Sequence, residues 1–180
     1  MSSHCLTIVP KRSYYPNNEL KAKEILNWLI SEDIVKSMPS DCVLGSEFGY
    51  ALSEGARKAT PFPDFLPFGL NSNGLEIVLE RSVFDTGQNG MEKCICPNCK
   101  ENIALESWEF FNDWFNEVSN NLTCPLCKLA ADIHQYSFTP EWGFSDLGFR
   151  FWNWPEFTEE FIESFRKKLD SEISIVDTHV

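Results

Sequence analysis

Two copies of Cys-Pro-x-Cys, at 96–99 and 124–127, constrain this chain more than any other feature. Two thiolates three positions apart on a tight turn can bind one tetrahedral ion. Two such turns supply the four Zn–S bonds of a closed structural site. Proline inside each pair helps to set the turn. Cys96, Cys99, Cys124 and Cys127 are therefore the expected ligands of one structural Zn²⁺. Lys100 and Lys128 each follow a pair, where their charge softens the two negative charges left by four thiolates around one divalent ion. A catalytic zinc keeps one position open to water, and four thiolates leave none. A single CxxC can instead be a dithiol redox pair, so an oxidoreductase is the alternative reading. An iron–sulfur centre would call for a ferredoxin-type run that is not present.

The seven cysteines are an odd number, unlike the even sets of secreted disulfide scaffolds. Cys5, Cys42 and Cys94 read as buried thiols packing as small apolar groups. The chain has 180 residues, 43% of them hydrophobic, enough for one sizeable core and one domain spanning 1–180. No apolar run approaches the ~20 residues of a membrane helix. The first ten residues lack the basic and apolar segments of a secretory signal, so the expected compartment is the cytoplasm.

Hydrophobic periodicity suggests helices at 19–30, 104–118 and 156–169. In the second, Ala104, Trp108, Phe111, Phe115 and Val118 recur at helical spacing as the inward face. Glu106, Glu109, Asp113 and Glu117 form the opposite, acidic face, with Phe110 and Trp114 on its flank. Such a helix would fill the 24 residues between the two cysteine pairs. Strands are expected near 6–9, 75–80, 92–95, 148–152 and 173–176, the last four pairing with one another. The second and third of these five read as a hairpin leading into the first cysteine turn. A short helix at 51–58 and a helical stretch at 129–136 are weaker expectations. Residues 37–74 mix prolines, glycines and aromatics and read as ordered but irregular. The expected class is α+β: a small, mostly antiparallel sheet, covering helices, and a zinc-ribbon-like core over 75–135 interrupted by a helix.

The segment from Val83 to Cys99, VFDTGQNGMEKCICPNC, resembles a widespread group of uncharacterised bacterial proteins. In that group a strand, a G-x-N turn and a CPxC precede a Trp-containing helix, a second cysteine pair, an aromatic strand, a helix and a short last strand. Trp108, Cys124, Cys127, Phe149, Phe151, 173–176 and His179 stand at comparable places over roughly 75–180. Departures are the Pro-rich 37–74 segment and the lysines where glycine often follows each cysteine pair. The resemblance implies a zinc-binding fold and no particular activity. Members are sometimes named as sugar-transporter ATPases, but this sequence has no G-x-x-x-x-G-K-[ST].

Net charge is −12, and all of it lies in 61–180, where 8 basic side chains face 20 acidic ones. Such a surface repels nucleic acid and anionic lipid and attracts basic proteins. Nothing in the sequence matches G-x-S-x-G or H-E-x-x-H, and His4, His134 and His179 have no recognisable nucleophile partner. The expectation is a non-enzymatic protein that binds a basic partner. The sharpest case is an immunity or antitoxin-like protein blocking a bacterial toxin. Glu106, Glu109, Phe110, Asp113, Trp114 and Glu117 are its candidate contact residues.

Overall fold

A computed structural model describes residues 2–180. In chain order its elements are β1 (His4–Pro10), α1 (Asn18–Ser31), β2 (Val35–Ser40), β3 (Gly49–Leu52), β4 (Leu75–Val78), β5 (Ser82–Phe84) and β6 (Lys93–Ile95). There follow α2 (Asn112–Phe115), β7 (Asn121–Thr123), β8 (Ala130–Asp132), β9 (Ser137–Thr139), β10 (Gly143–Ser145), β11 (Gly148–Trp152), α3 (Glu159–Leu169) and β12 (Ile173–His179). The class is α+β, as expected.

One six-stranded sheet runs β12-β1-β11-β4-β3-β2, each neighbour antiparallel. Strand alternation sorts its side chains between two faces. Leu6 and Ile8 of β1, Leu75 of β4, and Phe149 and Phe151 of β11 share one core. Ile25 and Leu29 of α1 and Phe161, Phe165 and Leu169 of α3 close it. Their i, i+4 spacing places them on one stripe of each helix. The start of α3 is capped by Thr158, whose Oγ1 accepts from the Phe161 N–H at 3.1 Å. Glu159 and Glu160 in its first turn and Arg166, Lys167 and Lys168 in its last complement the helix dipole. Leu20, an apolar residue of α1, is 68% exposed.

The other face of the sheet carries Cys5 and Trp152 under Cys42 and Val43. Glu76 is buried there. Its carboxylate accepts from Trp152 Nε1 at 2.8 Å and from Arg150 at 3.4 Å, so the charge is paired rather than stranded.

Strands 75–78 and 148–151 pair as expected, but 93–95 joins neither. It pairs with β9, while 82–84 pairs with β10. The expected hairpin from 75–80 to 92–95 is therefore absent. Thr86 and Gly87 instead tie the intervening turn to β12, Gly87 at φ 58 lying so close to the His179 carbonyl that a Cβ would clash. The last strand pairs with β1 rather than with any of the three strands expected beside it. Residues 51–58 give the end of β3 and a 3₁₀ turn, and 129–136 give β8 and another 3₁₀ turn, in place of helices.

The 104–118 helix is much shorter than expected. A 3₁₀ turn at Trp108–Phe111 leads into α2, and nothing helical precedes it. The tighter turn has three residues per turn rather than 3.6, which brings Trp108, Phe111 and Trp114 into line. Glu117, at φ 61, ends the helix, and the Val118 N–H returns to the Asp113 carbonyl at 2.9 Å. Trp114 is consequently 1% exposed, whereas Phe115 and Val118 are 68% and 73% exposed. Period 3.6 assigned these three residues to the wrong sides.

Candidate metal centre

Each cysteine pair sits at the tip of a β-hairpin. The chain enters the first tip along β6, and Ile95 bridges back to Asn102. It enters the second along β7 and leaves along β8, with Thr123 opposite Ala130. The two tips share one hydrogen-bond pattern. Cys96 N–H donates to the Glu101 carbonyl (3.1 Å) and Lys100 N–H to the Cys96 carbonyl (3.0 Å). Cys124 N–H donates to the Leu129 carbonyl (3.0 Å) and Lys128 N–H to the Cys124 carbonyl (2.9 Å). Lys100 and Lys128 both adopt the left-handed conformation, at φ 64 and 66. That explains why glycine suits these positions, and each lysine bears a steric cost there. Lys128 Nζ donates to the Pro125 carbonyl at 2.6 Å rather than serving only as a counter-charge.

The four sulfur atoms lie within 4.8 Å of one another. Across the two tips, Cys96 Sγ and Cys127 Sγ are 3.8 Å apart and Cys99 Sγ and Cys124 Sγ 3.9 Å. A tetrahedral ion with metal–sulfur bonds of about 2.3 Å needs edges of about 3.8 Å. A disulfide needs sulfurs about 2.05 Å apart. The donor set and its spacing fit a metal ion with four thiolate ligands. The cluster can hold a metal ion.

The thiols are not alike. Burial opposes ionisation of Cys96, but the N–H groups of Cys99 and Asn98 outweigh it and lower its pKa to about 7. Cys99 is raised to about 11: the Glu101 N–H favours its thiolate, but burial and the neighbouring sulfurs of Cys96, Cys124 and Cys127 prevail. Cys96 therefore gives up its proton more readily than Cys99. Cys94, two residues from the cluster, is pushed up to about 12 by burial and then by the charges of Cys124 and Cys96. It packs as a neutral thiol among Ile103, Leu122 and Ile133, as expected.

A second core supports the cluster. Phe111, Phe138, Trp142 and Phe144 lie face to face or tilted, with centroids 5.0 to 6.4 Å apart. Trp114 meets Phe144 edge-on at 5.5 Å. Its Nε1 donates to Ser13 Oγ at 2.8 Å, reaching the segment that follows β1. Arg81 lies 4.0 Å above the Trp114 ring and donates to the Trp114 carbonyl (3.1 Å), the Ser119 carbonyl (3.1 Å) and Asn120 Oδ1 (3.0 Å). Sequence reading missed both Ser13 and Arg81. A lone serine and a lone arginine, distant in sequence from their partner, leave no periodic signal. His134 is held between Asp132 Oδ1 (3.0 Å, to Nδ1) and the Phe144 carbonyl (2.8 Å, to Nε2). Both ring nitrogens are engaged away from the sulfurs.

The candidate contact residues divide. Glu106, Glu109, Asp113 and Glu117 are exposed, and none forms an ion pair among the described residues. Phe110 is half-buried against the aromatic core, and Trp114 is inside it. Trp114 is therefore a core residue and not a contact residue. No helix among the described residues is long and apolar enough to cross a membrane. No family model, curated protein or solved structure matches the chain.

Proposed function

We propose that Cys96, Cys99, Cys124 and Cys127 hold one structural Zn²⁺, and that the chain is a non-enzymatic protein that binds a basic protein partner. The observation that carries the first part is the sulfur spacing of 3.8 and 3.9 Å across two matched tips. Bound there, the ion would tie two hairpins otherwise joined by the 24 residues between Cys99 and Cys124, and four thiolates leave it no open position for substrate. Cys96 and Cys124 are buried, and the partly exposed Cys99 has its pKa raised to about 11, which makes it a poor nucleophile for disulfide exchange and weighs against the oxidoreductase reading.

The second part rests on charge. The whole excess of −12 lies in 61–180, and between Lys100 and Lys128 five carboxylates meet no basic residue. Such a field speeds capture of a cationic protein and disfavours nucleic acid and anionic membranes. Neutralising a bacterial toxin, as an immunity or antitoxin-like protein does, is a task of this kind. The test is to purify the protein without chelator, count zinc per chain, and mix it with the products of adjacent genes at low and high salt. One zinc per chain and a complex that forms at low salt and dissolves at high salt are expected. Substoichiometric metal with reversible Cys96–Cys99 oxidation would favour the oxidoreductase instead.

A further inference from the structure

We infer that the docking surface is the outward side of residues 105–118, and that it takes a basic amphipathic segment of the partner; this rests on the reading of the protein as a binder of basic proteins. The short helix leaves outward Phe115 and Val118, which a longer one would have packed, and Leu105 is exposed before it. Leu105 is 95% exposed, Phe115 68% and Val118 73%. Trp108, at the start of the 3₁₀ turn, is 45% exposed. Its indole N–H is already bonded to the Ala104 carbonyl at 2.9 Å, and its ring abuts Trp142. It therefore offers a fixed apolar wall.

Glu106, Glu109, Asp113 and Glu117 alternate with these side chains along the segment and are likewise exposed. Apolar anchors with carboxylates around them match a segment that presents apolar side chains ringed by Lys or Arg. An acidic or purely apolar segment would leave the four carboxylates facing a like charge or dry hydrocarbon. The segment is anchored from behind. The helix is fastened from behind by Trp114, which Ser13 and Arg81 hold, and both ends of the segment run into the cysteine tips. A backbone segment already anchored has less entropy to lose on binding.

Two other exposed apolar sites lack this charge. A groove of about 460 Å³ lined by Leu26, Pro39, Phe48, Tyr50, Ile77 and Leu79 has one lysine and one glutamate on its wall. A second, of about 420 Å³, has Phe62 and Phe65 beside His4. Neither selects a partner by sign.

The test uses the full-length, metal-loaded protein and a dye-labelled 18-residue helical peptide with Leu on one face and Lys on the other. A same-composition scramble and a version with Glu for Lys are the comparison probes. Binding is read by fluorescence anisotropy at low salt. The amphipathic basic peptide should bind at least about tenfold more tightly than either comparison probe, since a few well-placed anchors carry most of an interface. F115S/V118S and E106Q/E109Q/D113N/E117Q should each weaken it by about tenfold or more, while F48S leaves it unchanged. Circular dichroism and zinc content confirm that each variant is folded. Equal loss in F48S, or no loss in the first two variants, overturns the surface while leaving the binding role intact. No binding of either basic peptide by the wild-type protein overturns both.

Discussion

The sheet-and-helix region and the cysteine region of this chain are built on different scales. The first sets strands of up to seven residues under two helices of 14 and 11 residues. Ile8, Ile25, Leu29, Leu75, Phe149, Phe151, Phe165 and Leu169 are wholly buried between them. The second has strands of three residues and a single short helix. Its core is a stack of rings and buried sulfur. Short ladders contribute few cooperative bonds, and a small core contributes little burial. The first region has the larger apolar core. The second has less to hold it, and its four sulfurs stand where an ion could act as a staple.

Cys124→Ser should separate the two regions most widely. A structural zinc contributes about 10 kcal/mol or more in small domains, so losing one ligand should loosen the whole second region. Hydrogen exchange is expected to show amides of Lys93–Ile95 and Asn121–Thr123 losing protection while those of His4–Pro10 and Gly148–Trp152 keep theirs. Uniform protection throughout would break the comparison.

Phe165→Ala tests the other side. The ring packs on Trp28, Phe149, Phe151 and Phe161. Its removal should cost about 3–5 kcal/mol in urea unfolding, with metal content unchanged.

The same contrast explains what could be read from sequence. α1 and α3 were legible because Ile25/Leu29 and Phe161/Phe165/Leu169 repeat at 3.6 over several turns. β4 and β11 were legible through the alternation of Leu75, Glu76 and Ile77 and of Phe149, Arg150 and Phe151. Three-residue strands such as Asn121–Thr123 and Ser137–Thr139 are too short to show any period, so the hairpins around the cysteines went unread. The helix at 108–115 was placed but misphased, because a 3₁₀ turn aligns Trp108, Phe111 and Trp114 where 3.6 aligns Trp108, Phe111 and Phe115. The four-cysteine cluster was legible in full, since two CPxC tips state their geometry within four residues each. The partner β1 takes for β12 could not be read, because pairing at a separation of about 170 residues leaves no local trace.

Arg81→Ala probes the join between the regions. Its guanidinium loses three acceptors and the Trp114 ring, and burial has already lowered its pKa. The expected loss is about 2 kcal/mol, with zinc retained and exchange quickened around 114–120. A larger loss in the sheet than around 114–120 would show the join to be wider than this one side chain.

The smallest effect is expected at Asp146. Burial raises its pKa, against the pull of the Tyr15 N–H and the Arg81 charge. A folded state that binds its proton more tightly than the unfolded state loses stability as pH rises through the raised value. Asp146→Asn keeps an oxygen for the Tyr15 N–H, now 2.7 Å from Oδ1, and removes the charge. At pH 7 the variant should equal or slightly exceed the wild type in stability, and the gap should close as pH falls below the carboxylate range. A clear loss at pH 7 would mean that ionised Asp146 stabilises the fold.

The central claim, that an ion closes the cysteine region, is tested most directly by X-ray absorption at the zinc edge of protein purified without added metal. A single shell of four sulfurs at about 2.3 Å is the predicted result. A shell containing nitrogen or oxygen, or a folded protein with no zinc signal at all, would contradict it.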